Sequence, residues 1–238
     1  MRLPSFERIL RNENFAENTI ETYSYAVRDY LTRYKKPSKA SLSTYKSFLI
    51  STYKPATVNL RIQSLNKYMN AIGLDNLKMK TIKTPKESFL DQMISDEDYR
   101  RLKRSLQKEA DLRWYFIVWF LAATGARISE LCQFKVEDVQ TGYIDIYSKG
   151  GRMRRLYFPK RLQREVLGWL EKEERSNGFL FLNAHGNRLT PRGISIRLKE
   201  YARKYGIDPD LVHPHAFRHL FAKNFLKKTM TSPCLQTF

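Results

Sequence analysis

The sequence predicts a mainly α-helical protein with one small antiparallel sheet, divided into two domains. Three observations carry this. Apolar residues recur at helical spacing through most of the 238 residues. One pair of alternating runs flanks the turn Lys149-Gly150-Gly151. The periodicity lapses over a polar, basic stretch from Lys78 to Lys86 that is interrupted by Pro85. Two domains of this size can each bury a core without disulfides. The two cysteines, Cys132 and Cys234, cannot form a framework in any case.

The first domain is expected over residues 1–77. Glu17 to Tyr23 opens a helix whose apolar stripe runs through Ile20, Tyr23, Val27, Tyr30 and Leu31. Ser38 begins a second helix through Leu42, Tyr45, Phe48 and Leu49. Pro55, suited to a first turn, begins a third through Val58, Ile62, Leu65 and Met69, and Gly73 stops it. Arg28, Arg33, Lys35, Lys36, Lys39 and Lys46 give this module a charged, solvated face.

A linker is expected over residues 78–91 and a second, mixed domain over 92–238. Ser95-Asp96-Glu97-Asp98 is a capping start for a helix with Tyr99, Leu102 and Leu106 on one side. Trp114 to Ala123 is apolar nearly all round and predicts a buried central helix, ended by Thr124-Gly125. Tyr143 to Tyr147 alternates as a strand, and Met153 to Phe158 returns beside it. Arg161 to Lys172 is an amphipathic helix, and Phe179 to Leu182 a short apolar run. Thr190-Pro191 starts a helix through Ile194, Ile196, Leu198 and Tyr201. Pro214 starts the last one, through Ala216, Leu220, Phe221 and Phe225.

The 43 Lys+Arg against 24 Asp+Glu give a formal net charge of +19. With mean hydropathy −0.54 and a pI near 9.9, the composition is neither disordered nor membranous. The longest apolar run, Trp114 to Ala123, is about half of a membrane span. No charged-then-apolar leader opens the chain, so the expectation is a cytoplasmic protein without membrane attachment. Such a surface attracts polyanions, of which nucleic acid is the commonest in a cell, but charge alone names no function.

Cofactor and hydrolase signatures are absent. There is no phosphate-binding glycine loop, dinucleotide fingerprint, nucleophile elbow or paired-cysteine zinc spacing, and no cofactor is expected. His213, His215 and His219 are close enough to suggest a metal, but no carboxylate or cysteine accompanies them locally, so none is expected.

Three other places carry chemistry. Arg127 follows the most apolar helix and must be paired or face a pocket, because an unpaired buried charge is costly. A plain structural pair with Glu130 at i, i+3 is the alternative. His215, Arg218 and His219 share one helix face, where a satisfied histidine and a solvated arginine are the plain reading. Lys149 tips a hairpin and is followed by Arg152, Arg154 and Arg155, a set that is also compatible with a merely solvated turn. Together, two arginines, a histidine and a lysine describe a site for a phosphodiester. Guanidinium forks hold non-bridging oxygens and stabilise a trigonal-bipyramidal transition state in place of Mg²⁺. A lysine can protonate a leaving 5′-oxygen, and a histidine can shuttle a proton.

Gly125-Ala126-Arg127-Ile128-Ser129-Glu130-Leu131, then Ser148-Lys149-Gly150-Gly151, then Pro214-His215-Ala216-Phe217-Arg218-His219 resembles the Xer-like tyrosine recombinase (phage integrase) family in order and context. Thr19-Ile20-Glu21-Thr22-Tyr23 is similar to that family's helical, SAM-like core-binding domain, so the resemblance covers nearly the whole chain. It implies that Arg127 and Arg218 clamp phosphate, that Lys149 is a general acid and that His215 is the first histidine of the site. Glu130 and His219 match supporting positions. The implied activity is site-specific recombination of double-stranded DNA through a 3′-phosphotyrosyl intermediate, without metal or nucleotide. The implied assembly is a two-domain clamp acting as a homo-oligomer, a tetramer on two DNA sites.

The resemblance departs at the C-terminal end. The 20 residues after Arg218 contain neither the family's Gly-His step nor a tyrosine, and Tyr201 and Tyr205 precede the histidine-arginine helix. The residues Thr229 to Phe238 have no helical stripe, and their codons allow a family-like continuation in another frame. The expectation is a truncated or frameshifted recombinase that lacks its nucleophile and binds DNA without cleaving it. A non-catalytic DNA-binding regulator or decoy is the alternative, and a topoisomerase IB-like relaxing enzyme is a third reading.

Overall fold

The computed structural model describes residues 3–84, 93–147 and 153–230, the last three without their side chains. The chain forms two compact units, Met1–Lys86 and Glu87–Phe238.

The first unit is helical: α1 (Leu3–Asn12), α2 (Glu17–Arg33), α3 (Lys39–Thr52) and α4 (Pro55–Ala71), then a 3-10 turn at Asp75–Leu77. Local signals set the boundaries. The Ser38 hydroxyl accepts the Ser41 N–H at 3.1 Å while the Ser38 N–H donates to the Ser41 hydroxyl at 3.0 Å, which caps α3. Pro55 occupies the first turn of α4, and Gly73 follows its end with φ +72°. The core joins Phe6 and Leu10 of α1 to Ile20, Val27 and Tyr30 of α2, Tyr45 and Leu49 of α3, and Val58, Ile62 and Leu65 of α4. Inside it, Asp29 accepts the Tyr45 hydroxyl at 2.6 Å and pairs with Arg61 at 2.6 Å, so that both buried polar side chains are satisfied.

The lapse in periodicity after Lys78 is extended chain laid along α4. Asn66 exchanges two hydrogen bonds with the backbone of Met79, both 2.8 Å, and Asn59 does the same with Ile82 at 2.8 and 2.9 Å. Lys46 donates to the Lys80 carbonyl at 2.7 Å. Seven helical residues rise about 10.5 Å and three extended residues span about 10 Å, so the two asparagine rungs match the two spacings. The linker expected over 78–91 therefore begins as a strap on the first unit, and its residues 85–91 lie outside the described residues.

The second unit is mixed. Its elements are α5 (Asp96–Lys108), α6 (Leu112–Thr124), α7 (Ile128–Leu131), α8 (Val136–Thr141), β1 (Tyr143–Tyr147), β2 (Met153–Tyr157), α9 (Lys160–Lys172), α10 (Pro191–Lys204) and α11 (Pro214–Met230). The helix α6 is the core element: Ile117, Val118, Phe120 and Leu121 are fully buried. The Phe120 ring packs edge-on against Phe134, Phe158 and Phe181 at 5.0–5.8 Å. The strands pair antiparallel with Tyr143 opposite Tyr157 and Tyr147 opposite Met153. The fold is thus mainly helical with a two-stranded antiparallel sheet, as the periodicity predicts. The apolar run Phe179 to Leu182 is no strand of that sheet. It makes isolated bridges, Lys135 with Phe179 and Leu182 with Arg188, and Arg175 binds the carbonyls of Phe179 and Leu180.

Candidate active site

The site begins where α6 must stop. Gly125 takes φ +60°, which reverses the chain, and its N–H closes on the Leu121 carbonyl. The Thr124 hydroxyl donates back to the Phe120 carbonyl and accepts the Ala126 N–H at 3.2 Å. This tight corner sets Arg127 at the N-cap of α7, directly against its own helix.

Glu130 answers from the first turn. Its Oε2 accepts the Arg127 N–H at 2.7 Å and its Oε1 accepts Arg127 Nη1 at 2.8 Å. A second guanidinium arrives from β2: Arg154 Nη2 donates to Oε2 at 2.5 Å. Burial alone would push the Glu130 carboxyl up, but the hydrogen bonds from Arg127 and the charges of Arg154 and Arg127 outweigh it and hold it below its usual range. Glu130 is buried and ionised, while half of the Arg127 side chain stays open to solvent.

The third arginine comes from α11, which packs along α6. Arg218 Nη1 donates to the Gly125 carbonyl at 2.5 Å. Burial, then the charges of Arg154 and Arg127, weaken its hold on its proton, and Glu130 offsets part of this. Two guanidiniums, Arg127 and Arg154, therefore share one carboxylate, and Arg218 stands near enough to feel their charge, an excess of two positive charges at a partly desolvated place. Arg154 and Arg218 line a cleft of about 470 Å³ together with Gly125, Tyr157, Phe221 and Phe225. Arg127 and Glu130 line a neighbouring one of about 700 Å³ with Ser129, Gln133 and Tyr147. Such a place suits an anion that offers several oxygens.

Of the residues singled out in the sequence, Arg127, Glu130 and Arg218 come together. The pair of Arg127 with Glu130 is real, yet it does not consume the site, because Arg154 and Arg218 add charge that Glu130 cannot neutralise. His215 is exposed in the first turn of α11, three and four positions from Arg218 and His219 and so on one face with them. The neighbouring His213 takes the Ala216 N–H on Nδ1 at 3.3 Å, and burial, then His215 and His219, lower its pKa. Lys149 lies outside the described residues. Arg154 is the residue that sequence reasoning left as part of a solvated turn. The signal was the pleat: Arg154 shares its strand face with half-buried Leu156, whereas Arg155 faces outward and pairs with Asp145, its cross-strand partner, at 2.8 Å through two bonds.

The sequence profile described as the phage integrase family matches residues 92–238. The chain belongs to the phage integrase family. Its similarity extends through the first unit as well. It is 30% identical over 234 residues to the tyrosine recombinase XerA of Pyrococcus furiosus, covering 95% of this chain and 80% of that protein. It is 26% identical over 238 residues to the tyrosine recombinase XerC of Staphylococcus aureus strain JH9, covering 90% of this chain and 79% of that one. Among solved structures, a lambda integrase tetramer bound to a Holliday junction shares the fold at TM-score 0.74 and 16% identity, over 95% of this chain and 72% of that one. The XerH recombinase in a post-cleavage complex with a palindromic difH substrate shares it at TM-score 0.68 and 18% identity, over 96% and 75%. Against this family background, Arg127, Glu130, His215 and Arg218 fall in the matched region.

Proposed function

We propose that the protein is a site-specific recombinase of double-stranded DNA whose second unit grips one phosphodiester. The observation that carries this is that Arg127 and Arg154 both pair with Glu130 while Arg218, held on the Gly125 carbonyl, adds a third positive charge close to them. In this reading Arg127 and Arg218 hold the two non-bridging oxygens. They are fixed before the substrate arrives, so their charge costs no reorganisation as negative charge builds on the phosphorus. Glu130 orients Arg127, His215 donates to a phosphate oxygen, and His219 supports the helix. Lys149 protonates the departing 5′-oxygen when a tyrosine oxygen attacks the phosphorus and forms the 3′-phosphotyrosyl bond. A 5′-hydroxyl reverses the step. The first domain, 1–77, and the second, 92–238, hold the duplex jointly. Copies assemble on two sites, as the tetramer of the related integrase does on its junction.

The nucleophile is the finer part of the reading. All 14 tyrosines lie at or before Tyr205. The Tyr201 phenol donates to Asp111, and burial followed by that bond pushes its pKa up to about 12. The Tyr205 phenol donates to Glu109 at 3.0 Å and is raised as well, burial again being the larger cause. Both effects oppose phenolate formation. These 238 residues are therefore proposed to bind DNA and hold the phosphate without cleaving it, which is also the behaviour of a regulator or decoy. Covalent trapping on nicked duplexes tests this point: no adduct is expected. An adduct would refute it, and Tyr157, which lines the cleft with Arg154 and Arg218, is the first tyrosine to replace by Phe.

A further inference from the structure

We infer that Arg154 is a positioning residue of this site, tying the hairpin to Glu130 and through it setting the orientation of Arg127. The inference rests on the arginine cluster being a phosphodiester clamp. It starts from the register of the sheet. Arg154 stands opposite Ile146 on β2, on the half-buried face with Leu156, while Met153 and Tyr157 point out and are exposed. A guanidinium on an inward strand face is costly unless its donors find acceptors. Arg154 is only partly satisfied: Nη2 reaches Glu130, but Nε is buried with no acceptor among the described residues. A strand that merely needed to pack would be better served by an aliphatic side chain at this position.

What Arg154 does for that cost is visible at the carboxylate. Glu130 Oε2 receives both Arg154 and the Arg127 backbone, and Oε1 receives the Arg127 guanidinium. Arg154 therefore fixes the rotation of the carboxylate from the strand side, and the carboxylate fixes Arg127. The Arg154 side chain is 31% exposed against 50% for Arg127, so Arg127 is the better placed of the two to meet a ligand directly. Lys149, five residues earlier in the chain, precedes the same strand. A displacement of the hairpin would thus be felt at Arg127 through Arg154 and Glu130.

The test is binding of inorganic phosphate to the whole chain, read from the ¹⁵N signals of arginine Nε–H groups, with folding checked by thermal melting. Arg218→Ala should abolish binding; if it does not, the clamp reading itself fails, whatever Arg154 does. Arg154→Gln should weaken binding about tenfold and shift the Arg127 signal before phosphate is added. In a Glu130→Gln background the same change should have little further effect, because residues acting through one partner are not additive. Arg154→Lys should fall between Gln and wild type, and it carries the test if Arg154→Gln does not fold. Unchanged phosphate affinity in Arg154→Gln, full additivity with Glu130→Gln, wild-type affinity in Arg154→Lys, or an unmoved Arg127 signal overturns the inference.

Discussion

The guanidinium of Arg218 is anchored on the carbonyl of Gly125 at 2.5 Å, and Gly125 also lies against the Phe221 ring of α11 at the end of α6. A Cβ at Gly125 would sit 2.4 Å from Cδ1 of Phe221, on a backbone with φ +60°. The residue that stops the central helix thus also seats one arginine of the site.

Gly125→Ala should therefore cost about 2 kcal/mol, combining the left-handed backbone with a displaced Phe221 ring. Urea denaturation measures it. The change should also weaken phosphate capture, because Arg218 moves with α11. A neutral substitution would mean that Phe221 yields freely and that the corner does not set Arg218.

Glu130 makes stability pH-dependent. Its carboxyl is held below its ordinary value of 4.5 in the folded protein, burial opposing and the Arg127 and Arg154 interactions prevailing. A depressed carboxylate contributes stability that is present above the unfolded value and lost as pH falls through the folded one. Wild type should accordingly lose stability below about pH 4.5. In Glu130→Gln the part of that loss due to Glu130 should vanish. At pH 7 the variant should be less stable by about 3 kcal/mol, since it leaves two guanidiniums without their anion. Melting curves from pH 7 to pH 3 check both statements.

The asparagine rungs on α4 predict a local effect. Asn59→Ala and Asn66→Ala each remove two backbone partners and should cost about 1–2 kcal/mol apiece. Hydrogen exchange should accelerate at the Met79 and Ile82 amides while the α2 core stays protected. Equal acceleration across the whole unit would show that the strap is part of its global fold.

How far the sequence could be read depended on whether the signal was local. Ser38, Pro55, Gly125 and Thr190 act within one turn of their own element, and the helices they bound appear where periodicity places them. Thr190 caps α10 by accepting the Gly193 N–H at 3.1 Å. The helix α1 lies outside the elements read from the sequence, although Leu3, Phe6 and Leu10 stand at i, i+3 and i+7, a short helical stripe that packs into the core. Phe179 to Leu182 has the composition of a strand, but its carbonyls go to Arg175, to the Leu189 N–H and to Arg113, and the last of these, 69 residues away, lies in no local window of sequence. At the site the arginines were legible as residue types. That Arg154 would turn inward to share Glu130 required the register of the hairpin.

Duplex binding should respond steeply to salt. A chain with net charge +19 that tracks a phosphate backbone releases many counterions, so log affinity should fall linearly with log salt at a slope of several units. Arg127→Ala and Arg218→Ala should leave most of this slope intact, because the surrounding Lys and Arg residues supply it. A flat response would remove DNA as the partner.

The most direct measurement follows the arginine Nε–H signals of the 238-residue chain as duplex DNA is added. Convergence of Arg127 and Arg218 on one phosphodiester predicts that both signals move together as duplex binds, and that Arg218→Ala quenches the shift of Arg127. Saturating duplex binding with both signals unmoved would contradict it.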